Sequence, residues 1–434
     1  MDETFTLNSI ALCFIIISAF LMICLPRRFA IFPVLMAACY MTIGQGIVIG
    51  VLHFPVIRIL LFIGFIRIMI RGEIYSIKLN NIDKAIIWWS IISIITGTLL
   101  EKSVGLINRL GLVYSALGFY YLFRFLIRDR DDLLTLIKMM AIIIVPLAVS
   151  VLIEKNTSRN IFSIFGGVPE ITVIREGKLR CQGPFRHPIL MGTFAATLIP
   201  LFVSLWFKDK GGKLFSIIGI ICATIITYAS ASSGPLLAYV FALIALFIWP
   251  LRNNMKTVRW MILIGLVILH MVMKAPIWFL IGKMAELTGG TGWHRSVLID
   301  SAISHFNEWW LIGTTYTAHW MAYYLDNTNS ADITNQYIWE GVNGGIWRMG
   351  AFIIIIILCF RELGKSNLIL KDQPIDLRIF NWSLGAALFA HVMSFMSVSY
   401  FDQIIVFWYL LLAMISTVSG ISAKLDDATV PVQN

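Results

Sequence analysis

Five arginines stand in unusual places for a chain in which only 13% of residues are charged. Arg180 and Arg186 flank "CQGPF", Arg295 follows "TGGTG", and Arg58 and Arg109 lie inside long apolar stretches. An ionisable side chain at membrane depth costs ~2.5–3.5 kcal/mol on insertion scales, so each marks a function or a local partner. Arginine suits phosphate because its planar fork donates paired hydrogen bonds and keeps its charge at any relevant pH. A helix starting behind glycines at Arg295 adds oriented N–H groups and a positive dipole end. Together these features suit a large anion, such as a lipid-linked diphosphate. The structural alternative is snorkelling to lipid headgroups, or pairing with Glu154, Asp300 or Asp402.

Other chemistries have weaker signatures. The seven histidines show no HxxH or HExxH spacing, and His294 and His305 lie three turns apart on one helix face, so no metal site and no cofactor is expected. "DRD" at 129–131 sits in a basic loop and reads as a solvated charge run. Ser230, Ser232 and Ser233 in "YASASSG" lack a nucleophile elbow and read as helix-end hydrogen bonding. Trp309, Trp310 and Trp320 read as interface anchors more readily than as sugar platforms. The cysteines form no disulfide framework: five lie in apolar stretches, and Cys181 stands alone in a loop.

The elements that position these residues are apolar helices. The 434 residues are 59% hydrophobic, with a mean hydropathy of +0.83. Stretches of about 17–25 apolar residues, each able to cross ~30 Å of hydrocarbon, recur at 8–25, 29–49, 54–70, 84–100, 104–123, 133–152, 187–207, 214–231, 233–250, 258–275, 345–361, 379–398 and 401–421. They are continuously apolar, which excludes a strand barrel. The expected fold is an all-α polytopic bundle of 12–13 transmembrane helices, with re-entry in the 29–70 region as the source of the uncertain count. The organisation is 1–152 as N-terminal helices, 153–186 as an outer loop, 187–275 as central helices, 276–344 as a large outer loop, and 345–434 as C-terminal helices and tail.

Charge sets the sidedness. Lysines and arginines gather in the short connections near 27–28, 71–84, 124–138, 208–213, 252–259 and 361–378, whereas the opposite short connections hold Lys102 alone. By the positive-inside rule the N-terminus lies outside, and the C-terminus is cytoplasmic. The net charge of +10 is therefore mostly topology, and no nucleic-acid partner is implied. The start "MDETFTLN" lacks the basic region of a cleavable signal. No GxxxxGK[ST] loop is present, so work is expected outside, without ATP. In the large loop, a piece from Pro276 reads as an amphipathic helix. A second helix from about His294 should bury Leu298, Ile299, Ala302, Ile303, Phe306, Trp309 and Trp310.

In this order the motifs resemble the O-antigen ligase/polymerase superfamily. Arg180, Gly183, Phe185 and Pro188 match a loop of the form R-x-x-G-x-F-x-x-P; "HFNEWWLIG" follows Arg295; and "TNQYIWEGVNGG" stands at the place of an "HN" motif. The similarity covers roughly residues 175–360. It implies a GT-C-like membrane glycosyltransferase in the bacterial inner membrane, metal-independent and inverting. The donor would be a glycan on polyprenyl diphosphate, and the acceptor a hydroxyl of a glycan or lipid. Membrane lipids and other polysaccharide assembly proteins are the further partners.

Arg180, Arg186, Arg295, Arg58, Arg109, His187, Asn335 and Gly345 fall on the substrate side of this resemblance, with Arg180 and Arg186 as the diphosphate clamp. Asp332, Glu340, His294 and His319 are candidates for the acceptor-activating base by location. Where ligases of the family carry "SRG", this chain reads Ser232, Ser233, Gly234, and Thr334 precedes Asn335. Polymerase and ligase thus stay equal expectations. A lipid-linked glycan transporter or flippase, and a non-catalytic assembly partner, are the other classes.

Overall fold

A computed structural model describes residues 7–50, 52–74, 77–208, 210–287, 292–324 and 331–429. Six of its helices are long and apolar enough to cross a membrane: Asn81–Leu126, Arg130–Thr157, Pro188–Leu205, Lys210–Ala229, Trp249–Val272 and Ile404–Leu425. The chain is an all-α, multi-pass membrane protein.

The N-terminal part departs from the expected spans. Helix α1 (Ser9–Cys24) is capped by Asn8, whose side chain accepts from the Ala11 N–H. Helix α2 (Phe32–Tyr40) has only nine residues, about 14 Å at 1.5 Å per residue, and cannot cross a ~30 Å core. The rest of the 29–49 stretch forms strand β1 (Gly46–Ile49), paired antiparallel with β2 (Leu52–Pro55). The second expected crossing is therefore absent. In its place the backbone makes a close crossing that leaves no room for a side chain. A Cβ on Gly44 would meet Gly167 N at 2.9 Å, and Gly167 itself has φ +71°. Gln45 fastens the same crossing by donating to the Phe165 carbonyl at 2.5 Å. Helix α3 (Val56–Ile70) follows.

Helix α4 (Asn81–Leu126) folds back on itself where Glu101 and Lys102 leave helical geometry, Lys102 at φ +53°. Tyr120 Oη donates to Asp83 Oδ1 at 2.6 Å across the two arms. Near the bend, the Arg109 stem lies against Gly97, where a Cβ would come within 2.3 Å of Arg109 Cγ. The 84–100 and 104–123 stretches are thus the two arms of one hairpin.

Helix α5 (Arg130–Thr157) begins at the Asp129 cap. After it, the short hairpin of β3 (Ile174–Arg175) and β4 (Lys178–Leu179) leads into α6 (Pro188–Leu205). Almost wholly buried, α6 is the central helix, packed by α7 (Lys210–Ala229), α8 (Ser233–Phe247) and α15 (Ile375–Ser394). By contrast, α9 (Met255–Val272) buries none of its residues.

The 276–344 segment builds a second apolar cluster of Leu298, Ala302, Trp309, Trp320, Met321, Ile338 and Val342. Helix α10 (Phe279–Leu287) packs on α11 (Gly292–Ser304). The expected continuous helix to Trp310 is interrupted at His305, and α12 (Phe306–Trp309) restarts at a new angle. Ile303, Phe306 and Trp310 are exposed and Ile299 is half-buried, against expectation, while Leu298, Ala302 and Trp309 are buried. Gly289 and Gly290 of the glycine turn lie outside the described residues. Helix α13 (Gln336–Val342) returns the chain to α14 (Gly345–Ile369), and α16 (Ile404–Thr429) closes the bundle.

Candidate functional site: a buried arginine pocket beside a polar cavity

The CQG loop is fixed by its own backbone. Glu154 on α5 accepts from the Gln182 N–H at 3.1 Å and the Gly183 N–H at 2.9 Å, and Thr172 Oγ1 donates to it at 3.1 Å. The Cys181 N–H donates to the Ala229 carbonyl at the end of α7. This carboxylate is therefore occupied with amides and a hydroxyl. The loop carries Arg180 to the start of α8, where its Nη2 donates to Ser232 Oγ at 2.8 Å. From the first turn of α11, Arg295 Nη1 donates to Ser233 Oγ at 3.3 Å. Gly234 keeps the place open, since a Cβ there would meet Ser397 Oγ at 2.8 Å and approach Arg295 Nη2 at 3.6 Å.

Arg180 and Arg295 are 7% and 5% exposed. Among the described residues, neither forms an ion pair with a carboxylate, and Arg180 Nε is buried without a hydrogen-bond partner. Desolvation, then Arg175 and Arg180, push the Arg295 guanidinium down to about 10. Arg180 is lowered by burial and by Arg175, with Glu176 opposing. His187 falls to about 4 through burial and then Arg180 and Arg175. Its neutral ring caps α6, Nδ1 accepting from the Ile189 N–H at 3.2 Å. Several like charges thus press on one another in a site built of hydroxyls, which disfavours each cation.

One residue before Arg295, His294 lines a cavity of about 590 Å³ with Asp332, Glu101, Trp339 and Asn343. Burial lowers the His294 pKa, Asp332 raises it, and Arg295 and Arg175 lower it again. Arginine pocket and polar cavity therefore adjoin at the first turn of α11. A smaller cavity of about 170 Å³ lies among Arg58, Glu340, Gln336, Tyr400 and Trp339, so Trp339 belongs to both walls.

The remaining candidates are placed elsewhere. Arg186 is exposed, and its carbonyl accepts from Gln182 Nε2 at 3.3 Å. Arg58 donates to Ser115 Oγ and to the His53 carbonyl, each at 3.0 Å. Arg109 donates to Asn343 Oδ1 at 2.6 Å. Glu340 contacts Arg348 Nε at 2.8 Å and accepts from Trp89 Nε1 at 3.1 Å and Gln336 Nε2 at 2.8 Å. Asn335 caps α13, accepting from the Tyr337 and Ile338 N–H groups. Gly345 has φ +68° and sits where a Cβ would meet the Leu311 carbonyl at 2.3 Å. His319 faces Glu308 at 3.0 Å, on the 276–344 segment.

Two residues that sequence reasoning passed over, Arg175 and Arg348, and two that it read as helix-end hydrogen bonding, Ser232 and Ser233, belong to these groups. Ser232 and Ser233 are the hydroxyls on the arginines, Arg175 presses on both, and Arg348 holds Glu340. Arg348 alone had a sequence signal, a cation three residues inside an apolar helix. Compared with models of protein families and with curated protein sequences, the chain gives no match.

Proposed function

We propose that this protein is a membrane glycosyltransferase that transfers or polymerises a glycan from a polyprenyl-diphosphate carrier onto an acceptor hydroxyl, at the outer face of a bacterial inner membrane. The observation that carries the reading is the buried Arg180–Arg295 pair, which among the described residues meets Ser232 and Ser233 and forms no ion pair with a carboxylate. Its missing counter-charge is what a diphosphate supplies. The sequence resemblance to the O-antigen ligase/polymerase superfamily points the same way, with a GT-C-like bundle of about twelve crossings. In the segment where ligases of that family read "SRG", Arg295 brings a guanidinium from α11 to Ser233.

In this mechanism the donor diphosphate lies on Arg180 and Arg295, and the acceptor enters the cavity of His294 and Asp332. The acceptor oxygen bonds to the anomeric carbon on the face opposite the diphosphate. The anomeric C–O bond to the diphosphate breaks, its electron pair leaves on the diphosphate oxygen, and the anomeric centre inverts. The hydroxyl proton passes to Asp332, to neutral His294 or to the departing diphosphate. Each preorganised donor to the developing charge contributes ~10²–10³ in rate.

The test is the glycan profile of cells lacking the gene, with lipid-linked intermediates separated from finished polysaccharide. Single repeat units held on the carrier would indicate a polymerase, and long chains stranded there a ligase. Intermediates confined to the inner leaflet would overturn the transferase in favour of a flippase.

A further inference from the structure

The break between α11 and α12 has a chemical consequence on a different face from the arginine pocket. It brings His305 and Glu308 alongside His319 of the short helical turn Ala318–Tyr324, and one ligand atom from each lies within 4.8 Å of the others. A tetrahedral ion with bonds of ~2.0–2.1 Å spaces its ligand atoms ~3.4 Å apart, within reach of small side-chain rotations.

The surroundings hold these groups in ligating orientation. His305 Nδ1 lies 2.8 Å from the Ser301 carbonyl, so the assigned tautomer carries its proton there and leaves Nε2 as a lone-pair donor. Trp320 Nε1 donates to Glu308 Oε2 at 3.0 Å. The Trp320 ring stacks on His305, and the Tyr316 ring on His319 with 16° between the planes. Ser301 Oγ donates to the Trp320 carbonyl at 2.8 Å, joining the two chain segments again. Outer partners of this kind, fixing the tautomer and ring direction, are what a metal-binding histidine uses. Two imidazoles and one carboxylate select a transition ion over calcium or magnesium, which prefer all-oxygen sites.

We propose that His305, Glu308 and His319 hold one divalent transition-metal ion of the zinc class, which fastens the segment around His319 to α11 and α12. The position is exposed, with the His319 and Glu308 side chains 37% and 32% accessible, leaving the fourth site to water. Ala318 and Met321, on either side of the fastened turn, line the 590 Å³ cavity. The ion therefore acts as a clip on one wall of that cavity. The proposal stands independently of the glycosyltransferase reading.

The test uses the full-length protein in detergent, stripped with EDTA and titrated with Zn²⁺ and Co²⁺. The expected result is one equivalent bound per chain, with the visible bands of four-coordinate cobalt. His305→Ala, His319→Asn and Glu308→Gln should each weaken zinc binding by more than the ~10–100-fold typical of outer-partner changes. His53→Asn should leave it unaltered. Zinc should also slow proteolysis within residues 310–324 of the wild-type chain, a readout that needs no variant. Absence of stoichiometric zinc binding to the wild type would overturn the proposal, leaving only a His319–Glu308 hydrogen bond. So would binding that survives all three substitutions, or equal affinity for Mg²⁺.

Discussion

Most buried arginines of this chain fall into two kinds separated by the acid beside each, while Arg109, which meets Asn343 Oδ1, belongs to neither. Arg67 forms a fork with Glu73 at 2.7 and 2.9 Å. Arg124 meets Asp83 at 3.3 Å. Arg348 meets Glu340 at 2.8 Å, between the faces of Trp89 and Trp339. Arg180 and Arg295 are also buried, though less completely than Arg67 and Arg348, yet they meet serine hydroxyls and one another's field. A buried charge is costly unless paired and hydrogen-bonded. The first group finds a counter-ion within the fold and serves architecture. The second, on the proposed function, leaves its pairing to the donor diphosphate. Residue type and depth alone therefore do not distinguish a strut from a binding site.

The largest effect is expected among the struts. Arg348→Ala leaves Glu340 buried without its counter-ion and should cost ~3–5 kcal/mol of stability, visible as a large fall in the melting temperature in detergent. Next, Arg180→Ala or Arg295→Ala should lower transfer by ~10²–10³-fold while the melting temperature holds or rises, since like charges are relieved. Activity within twofold of wild type in both variants would sink the diphosphate pocket. Ser233→Asp converts one kind of arginine into the other. It should stabilise the protein by ~1.5–3 kcal/mol through a charged hydrogen bond and abolish binding of inorganic pyrophosphate, measured by calorimetry.

Two smaller effects sharpen the contrast. The folded pKa of His187, about 4, lies below its ordinary value of 6.5. Between these values the unfolded chain binds the proton more readily. The contribution of His187 is therefore complete above about pH 6.5 and is lost as pH falls towards 4. His187→Asn, which can still cap α6, should flatten that part of the acid melting curve. The smallest effect expected is for Arg186→Ala. Its exposed side chain should change transfer by less than ~10-fold, below the ~10²–10³ of a preorganised donor. A loss equal to that of Arg180→Ala would extend the pocket to Arg186.

Most helices were legible because hydropathy is a property of neighbours in the chain. The apolar stretches at 133–152, 187–207 and 214–231 correspond to α5, α6 and α7. The 29–49 stretch was misleading because composition does not register a contact between Gly44 and Gly167, more than a hundred residues apart. The same limit applies at the site. That cations gather near 180 and 295 was visible, but that Ser232 and Ser233 lie on them depends on how α8 and α11 pack. His319 joins His305 only because the chain breaks after Ser304 and turns back, which no fixed ligand spacing encodes. Asn335 stood out as the asparagine at the place of an "HN" motif, on the substrate side. In the fold the start of α13 uses its side chain as a cap.

Trp339 forms part of the wall of both cavities, and its ring lies 4.8 Å from the guanidinium of Arg348. A ligand that shifts this indole from one side alters the vacancy on the other. Thermodynamic linkage then requires reciprocity: whatever factor an occupant of the 590 Å³ cavity imposes on affinity in the 170 Å³ cavity is returned unchanged. One shared ring thus gives the two chambers a common wall. Trp339→Phe, which keeps a ring but trims its reach, should reduce that factor equally in both directions, as measured by titrating each chamber with the other filled.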